Sequence, residues 1–238
     1  MTHRILHPIA LFFLVGTAFV FAPEARGELV LSSQYLFDTD LSDSLGNQGD
    51  LSQISGGSLA GGGFTFGNDE GLSLTTNLTD DDYRIEFDVT FTDLAGWDKL
   101  IDFKDGASDD GLYLNATSNN FLTFFGAGVA NGGDFVDTGT SYTVSIQRVD
   151  EEVTASVDGV EQFSFFDFGD DALTATDQIA FFVDDSVTGD EGVAGTITEL
   201  RLFTNAVTIP EPSGMMVLAG LAAAAARFSR RARSRKFR

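Results

Sequence analysis

Along most of the chain, hydrophobic and polar positions alternate. In residues 84–91 (RIEFDVTF), Ile85, Phe87, Val89 and Phe91 fall on one face and Arg84, Glu86, Asp88 and Thr90 on the other. This period of two predicts a half-buried β-strand. Tyr142, Val144 and Ile146 repeat the pattern, as do Val153, Ala155 and Val157. Asp158-Gly159 then separates the last run from VEQFSFFDF (160–168), and Asp-Gly between two alternating runs predicts a tight hairpin. Further strands are expected at 29–37, 64–66, 72–74, 100–103, 111–114, 121–125, 179–183 and 196–203. Turns rich in Gly and Asp (SGGSLAGGG, DGASDDG, GVANGGD) separate them, at the short spacing typical of a sandwich or barrel. No long segment has helical periodicity, so the body is predicted to be all-β. Two segments, 179–183 (IAFFV) and 200–203 (LRLF), are apolar on both faces. They should be covered on both sides or interrupted by a bulge.

The ends follow different rules. Residues 1–27 combine Arg4 with an apolar run at 9–22 and small residues at Ala25 and Gly27. The run is short for a membrane span, and the order is that of a signal peptide cut before Glu28 by signal peptidase. An uncleaved N-terminal anchor is the alternative. At the other end, Ile209-Pro210-Glu211-Pro212-Ser213 precedes MMVLAGLAAAAA (215–226) and the basic tail RFSRRARSRKFR. Positive charge is retained on the cytoplasmic side, which would leave the body outside. This order resembles the PEP-CTERM sorting signal of Gram-negative bacteria. The resemblance implies recognition at Pro210, Glu211 and Pro212 by an exosortase and transient insertion of a short C-terminal helix in the inner membrane. Release to the outer surface or extracellular matrix would follow; a plain tail anchor is the alternative. The expected division is 1–27 signal peptide, 28–208 body and 209–238 sorting signal.

Charge sharpens the picture. The 238 residues include 14 Lys and Arg against 36 Asp and Glu, a net −22. Nine of those 14 cations, but only two of the acids, lie in the two end segments. The body therefore has five cations (Arg84, Lys99, Lys104, Arg148, Arg201) against 34 acids, a net −29. Such a surface repels phosphate backbones and argues against a nucleic-acid partner. With no Cys, thiolate chemistry and disulfides are excluded, and both His (His3, His7) fall in the signal segment. A trimmed body has no imidazole for Ser–His–Asp chemistry. Its 23 Phe can supply a core without disulfides or a cofactor.

The body also resembles a known family. YLFDTDLSDSLGNQG (35–49), WDKLIDFKDGASDDGLYL (97–114), VTASVDGVEQFSF (153–165) and FFVDDSVTGDEGVAGTITELRLF (181–203) are similar to the LamG-like, concanavalin A-like domains of bacterial PEP-CTERM proteins. The resemblance implies a jelly-roll sandwich of two antiparallel sheets, flanked by the signal helix and the short C-terminal helix.

Three kinds of chemistry are open to such a body. Glycoside hydrolysis needs two carboxyls, one of them held protonated; Glu86 and Asp88 share a strand face at a compatible spacing. Hydrolases of this fold often carry a third acid close by, where this chain has Thr90 and Phe91. Glu86 and Asp88 therefore also read as the solvated face of an amphipathic strand. Calcium takes oxygen ligands from acidic turns, and loops 38–47, 102–111 and 184–191 qualify. The family resemblance of the last loop points to Asp184, Asp185 and Glu191 as Ca²⁺ ligands, with Asp43 and Asn47 second. The same turns serve solubility alone if no ion binds. Glycan binding commonly uses an exposed ring; Trp97 is the leading ligand-binding candidate, with Tyr113 and Tyr142 behind it. The expectation is a secreted, non-catalytic surface or matrix module associated with extracellular polysaccharide, the alternative being a carbohydrate-active enzyme working through Glu86 and Asp88.

Overall fold

The computed structural model describes residues 28–76, 78, 82–115, 121–126, 129–187 and 189–205. The signal segment and the Pro210-Glu211-Pro212 motif lie outside them. Fifteen strands, and no helix, occur among the described residues. In chain order they are β1 (Leu29–Tyr35), β2 (Ser52–Ile54), β3 (Ser58–Leu59), β4 (Phe64–Phe66), β5 (Gly71–Thr75), β6 (Tyr83–Asp93), β7 (Trp97–Asp102) and β8 (Gly111–Asn115). The rest are β9 (Phe121–Phe125), β10 (Val129–Asn131), β11 (Ser141–Val149), β12 (Glu152–Val157), β13 (Val160–Phe166), β14 (Gln178–Phe181) and β15 (Ala194–Asn205).

They form two antiparallel sheets, as expected for a jelly-roll sandwich. One has eight strands in the order β13-β12-β11-β6-β15-β4-β3, with β1 also paired to β15. The other has seven, in the order β10-β9-β8-β7-β14-β5-β2. Strand β15 is the backbone of the larger sheet. Residues 194–204 pair with β6 on one edge, while residues 195–197 meet β4 and 200–205 meet β1 on the other.

The alternation read in β6 is realised. Ile85, Phe87, Val89 and Phe91 are buried, while Arg84, Glu86, Asp88 and Thr90 face outward. The two segments that break alternation do so for separate reasons. In IAFFV the strand ends at Phe181, and Phe182 adopts a left-handed φ of 64°. That turn drives two consecutive rings inward. Phe182 stacks on Phe66 of the opposite sheet at 4.2 Å and meets Phe87 edge-to-face at 5.4 Å. In β15 a register shift between Ile197 and Glu199 keeps both Ile197 and Leu200 buried. Phe203 faces outward instead, with the Arg84 guanidinium 3.8 Å above its ring. Each buried Phe contributes about 1.5–3 kcal/mol of transfer free energy, which explains how this core forms without cross-links.

The short strands β2, β3 and β10 were not legible as alternating runs, and each lies at the end of its sheet. Edge strands are kept short and polar to prevent further pairing, which also removes their pattern.

One buried ion pair locks the β13–β14 connection onto the sandwich. Arg148 of β11 is buried, with Nε 3.0 Å from Asp167 Oδ2 and Nη2 3.1 Å from Asp170 Oδ1. Asp167 also accepts the N–H groups of Asp171 and Ala172. Removing the guanidinium leaves a buried carboxylate without its counter-charge. Arg148→Ala should therefore cost about 3–5 kcal/mol, read as a drop of roughly 10 °C in thermal denaturation; a change within about 1 °C would contradict this reading.

Candidate functional site

Strand β7 carries a register shift between Lys99 and Ile101. Across it, a Cβ on Gly111 would lie 2.4 Å from the Ile101 carbonyl oxygen, so only glycine lets the two strands close here. Lys99 and its cross-strand neighbour Tyr113 are almost fully buried. The β14–β15 connection is tied to them. Lys99 N–H donates to the Glu191 carbonyl at 2.8 Å, and Ser186 N–H donates to the Gly106 carbonyl at 3.2 Å.

Beneath that connection lies a dense polar cluster. The Lys99 ammonium donates to Asp185 Oδ2 and to the Ser108 carbonyl (3.2 Å), and lies 3.0 Å from Asp102 Oδ2. The Tyr113 hydroxyl faces three acceptors: the Asp109 carbonyl at 2.8 Å, Glu191 Oε2 at 3.2 Å and Asp185 Oδ2 at 3.5 Å. It has one proton to give. Carboxylate oxygens of Asp109, Asp185 and Glu191 lie within 4.8 Å of one another. One ammonium thus serves a group of carboxylates that outnumbers it. Burial, together with the adjacent Asp185 charge, pushes the Glu191 carboxyl up to about 7. Burial likewise raises Asp184.

Of the expected calcium ligands, the structure brings together Asp185 and Glu191, and adds Asp109. Asp184 is not one of the three, although its carboxyl accepts the backbone N–H groups of Glu191 and Asp185; its Oδ1 is buried without a hydrogen-bond partner among the described residues. The oxygen donors suit Ca²⁺. A metal on Asp185 Oδ2, however, would share that atom with the Lys99 ammonium, and like charges at that range repel. In the first loop, both Asp43 oxygens are occupied. Oδ1 accepts from Gln34 and Leu45 N–H (2.8 and 3.1 Å), and Oδ2 from Asn47 and Gln48 N–H (2.7 and 2.9 Å). Burial opposes ionisation of Asp43, but the four N–H groups outweigh it and hold this carboxyl below its usual range. Its role is to close a turn.

Trp97 joins the same region. Its half-buried ring meets Tyr113 edge-to-face at 5.8 Å and Phe125 at 6.0 Å. Two independent sequence expectations, the ring and the acidic loop, therefore converge on Tyr113. The Tyr142 hydroxyl accepts the Asp137 N–H at 3.1 Å.

A second feature lies on the outer face of the eight-stranded sheet. An open groove of about 600 Å³ runs over β6, β11, β12 and β13. Its walls are polar: Arg84, Glu86, Ser145, Gln147, Thr154 and Glu161 contribute, and no aromatic ring does. Glu86 lies 2.8 Å from Arg201, which also pairs with Asp88 (3.2 Å) and Glu199 (2.9 Å). Asp88 further accepts from Thr143 Oγ1 at 2.6 Å. The two carboxyls singled out for hydrolysis thus share one guanidinium.

Rings that do reach solvent escaped notice in the sequence; Phe135, 56% exposed, is one and packs on Phe121 at 5.3 Å. Phe166 and Phe168 stack at 5.7 Å with planes 8° apart, and are 58% and 81% exposed. Phe166 pairs with Glu152 as Ser164 pairs with Thr154. By period two, Phe166 lies on the same sheet face as Thr154 of the groove. Their signal was the run FSFFDF, where alternation gives way to consecutive rings.

No family model matches the chain, and no curated protein matches it. Among solved structures it is similar to domain 4 of AbnA, a GH43 extracellular arabinanase from Geobacillus stearothermophilus, in complex with arabinotriose. The TM-score is 0.61 at 23% identity over 76% of this chain and 95% of that one. A Trypanosoma rangeli sialidase follows with a TM-score of 0.57 and 15% identity, over 75% of this chain and 31% of the sialidase. The botulinum neurotoxin serotype C1 binding domain gives 0.55 and 14%, over 75% and 49%. The chain thus spans under a third of the sialidase and about half of the toxin domain. These likenesses establish the fold alone, a jelly-roll β-sandwich of two antiparallel sheets.

The raised Glu191 carboxyl fixes a pH dependence. Between its ordinary 4.5 and about 7 the folded state holds a proton that the unfolded state releases. Stability is therefore fullest below pH 4.5 for this group and falls as pH rises through 7, by a few kcal/mol at most. In chelator, the melting temperature should drop between pH 5 and pH 8, and Glu191→Gln should flatten that slope. A parent protein more stable at pH 8 than at pH 5 would contradict the assignment.

Proposed function

We propose that this chain is an exported, non-catalytic sandwich that binds extracellular polysaccharide across the outer face of its eight-stranded sheet. The observation that carries the reading is the pairing of a polar groove with an exposed ring stack on one sheet face. Sugars present hydroxyls for the groove's amide, hydroxyl and charged side chains, and apolar faces for rings. Support also comes from a neighbour of the same fold whose structure is a complex with arabinotriose. Export follows from the signal-like segment 1–27, and outer-surface delivery from Pro210, Glu211 and Pro212 with the basic tail. Signal peptidase and an exosortase are the implied processing partners, and the inner membrane is a transient station.

The hydrolase reading has one observation in its favour: Glu86 lines the groove. Against it stands Arg201, which engages Glu86 and Asp88 together. Both carboxylates are thus already committed to ion pairs on the sheet face, Glu86 also to Arg84 at 3.5 Å.

Both readings meet in one experiment on protein recovered from its own host. Intact mass should show residues 1–27 absent and the chain ending near Pro212. Affinity electrophoresis over arabinan and other bacterial and plant polysaccharides should reveal saturable retardation. Phe168→Ala and Gln147→Ala should each weaken it about 3–30-fold, with melting temperatures unchanged because neither side chain is part of the core. Release of reducing ends that disappears in Glu86→Gln would establish the hydrolase instead. Parent-like retention by both groove variants would remove the groove from consideration.

A further inference from the structure

Asp98 sits beside Lys99 in β7 but, by the alternation of a strand, on its other side. The Lys99 ammonium therefore does not serve it. Asp98 is 1% exposed. Its Oδ1 accepts the Ala95 N–H at 3.3 Å, and its Oδ2 is buried with no hydrogen-bond partner among the described residues. An orphaned buried carboxylate oxygen calls for a physical reason, since desolvating a charge without compensation is costly.

Asp98 is part of the wall of a cleft of about 190 Å³, formed where the β4–β5, β6–β7 and β14–β15 connections meet. Asn68, Asp69, Asp93, Asp98 and Asp190 line it, with Ala95 and Gly192. A Cβ on Gly192 would come within 2.7 Å of Asp69 Oδ1, so glycine there lets Asp69 close on the cleft. Neither Lys nor Arg lines the cleft. The body's five cations are engaged elsewhere: Lys99 and Arg148 in their buried pairs, Arg201 and Arg84 on the groove face, and Lys104 on the carbonyls of Asp170 and Leu173.

We propose that this cleft binds a divalent cation, calcium by its chemistry, with Asp98 as the innermost ligand and Asp69, Asp93 and Asp190 completing the charge around it. Every ligand on offer is oxygen, and three separate connections supply them, which suits the large and flexible coordination shell of Ca²⁺ rather than a soft or tetrahedral metal. No three of these carboxylate oxygens lie within 4.8 Å of one another, so water fills part of the shell. The ion ties three connections into one unit at this end of the sandwich. None of Asp109, Asp185 and Glu191 lines the cleft, and cation binding there does not depend on glycan binding.

Calorimetric titration of the chelator-treated protein with CaCl₂ tests the proposal, alongside thermal denaturation. The parent should show saturable binding and a higher melting temperature in Ca²⁺. Asp98→Asn should weaken binding at least tenfold, yet melt in chelator at or above the parent temperature, because the uncompensated buried charge is gone. Asp190→Asn, at an exposed position, should weaken binding several-fold and leave the chelator melting temperature unchanged. Glu191→Gln should retain parent affinity. No saturable heat up to millimolar Ca²⁺, parent affinity in Asp98→Asn, or loss of binding confined to Glu191→Gln would each overturn the assignment.

Discussion

Cations are scarce in this protein, and the scarcity organises its polar interior. The body has five basic side chains for 34 acids, and each of the five is engaged with a defined partner. Arg148 anchors Asp167 and Asp170; Lys99 anchors Asp102 and Asp185. Arg201 gathers Glu86, Asp88 and Glu199, Arg84 covers Phe203, and Lys104 caps the carbonyls of the β13–β14 connection. Carboxylates beyond the reach of these five need other compensation. Asp43 obtains it from four backbone N–H groups. Asp98 has one backbone N–H and Glu191 a shared tyrosine hydroxyl, too little to offset burial, and both are raised towards neutrality.

The two outer faces of the sandwich consequently differ in character. On the eight-stranded sheet, alternating hydroxyl, amide and charged side chains form an open polar groove, and the end of β13 supplies a bare pair of rings. On the seven-stranded sheet, the β14–β15 connection closes over Lys99 and Tyr113 and buries charge. A large polar ligand suits the first face. The second builds a compact electrostatic centre whose balance is set by protons and ions. The core between them is common ground: Phe182 meets rings from the opposite sheet and so couples the two layers.

Much of the fold was legible because alternation is a direct imprint of a half-buried sheet. The β6 pattern, the Asp158-Gly159 hairpin and the all-β class followed from it. Short polar edge strands carry no such imprint, and the left-handed turn at Phe182 makes two adjacent rings face inward where alternation would separate them. The acidic loop 184–191 was visible as a loop. Its internal geometry was not, because a lysine inside a strand reads as solvent-facing, whereas Lys99 is fully buried between carboxylates. Trp97 stood out by rarity, but rarity says nothing of exposure; the rings left in solvent belong to the commonest aromatic in the chain.

Carboxyl-carbon NMR of Asp98 across pH, with and without Ca²⁺, addresses this charge balance most directly. In the metal-free protein the resonance should titrate at about 6, and saturating Ca²⁺ should move that transition below the usual carboxylate range. A midpoint near 4 in chelator, unmoved by Ca²⁺, would mean that Asp98 already has its compensation, and that cation scarcity does not govern this end of the sandwich.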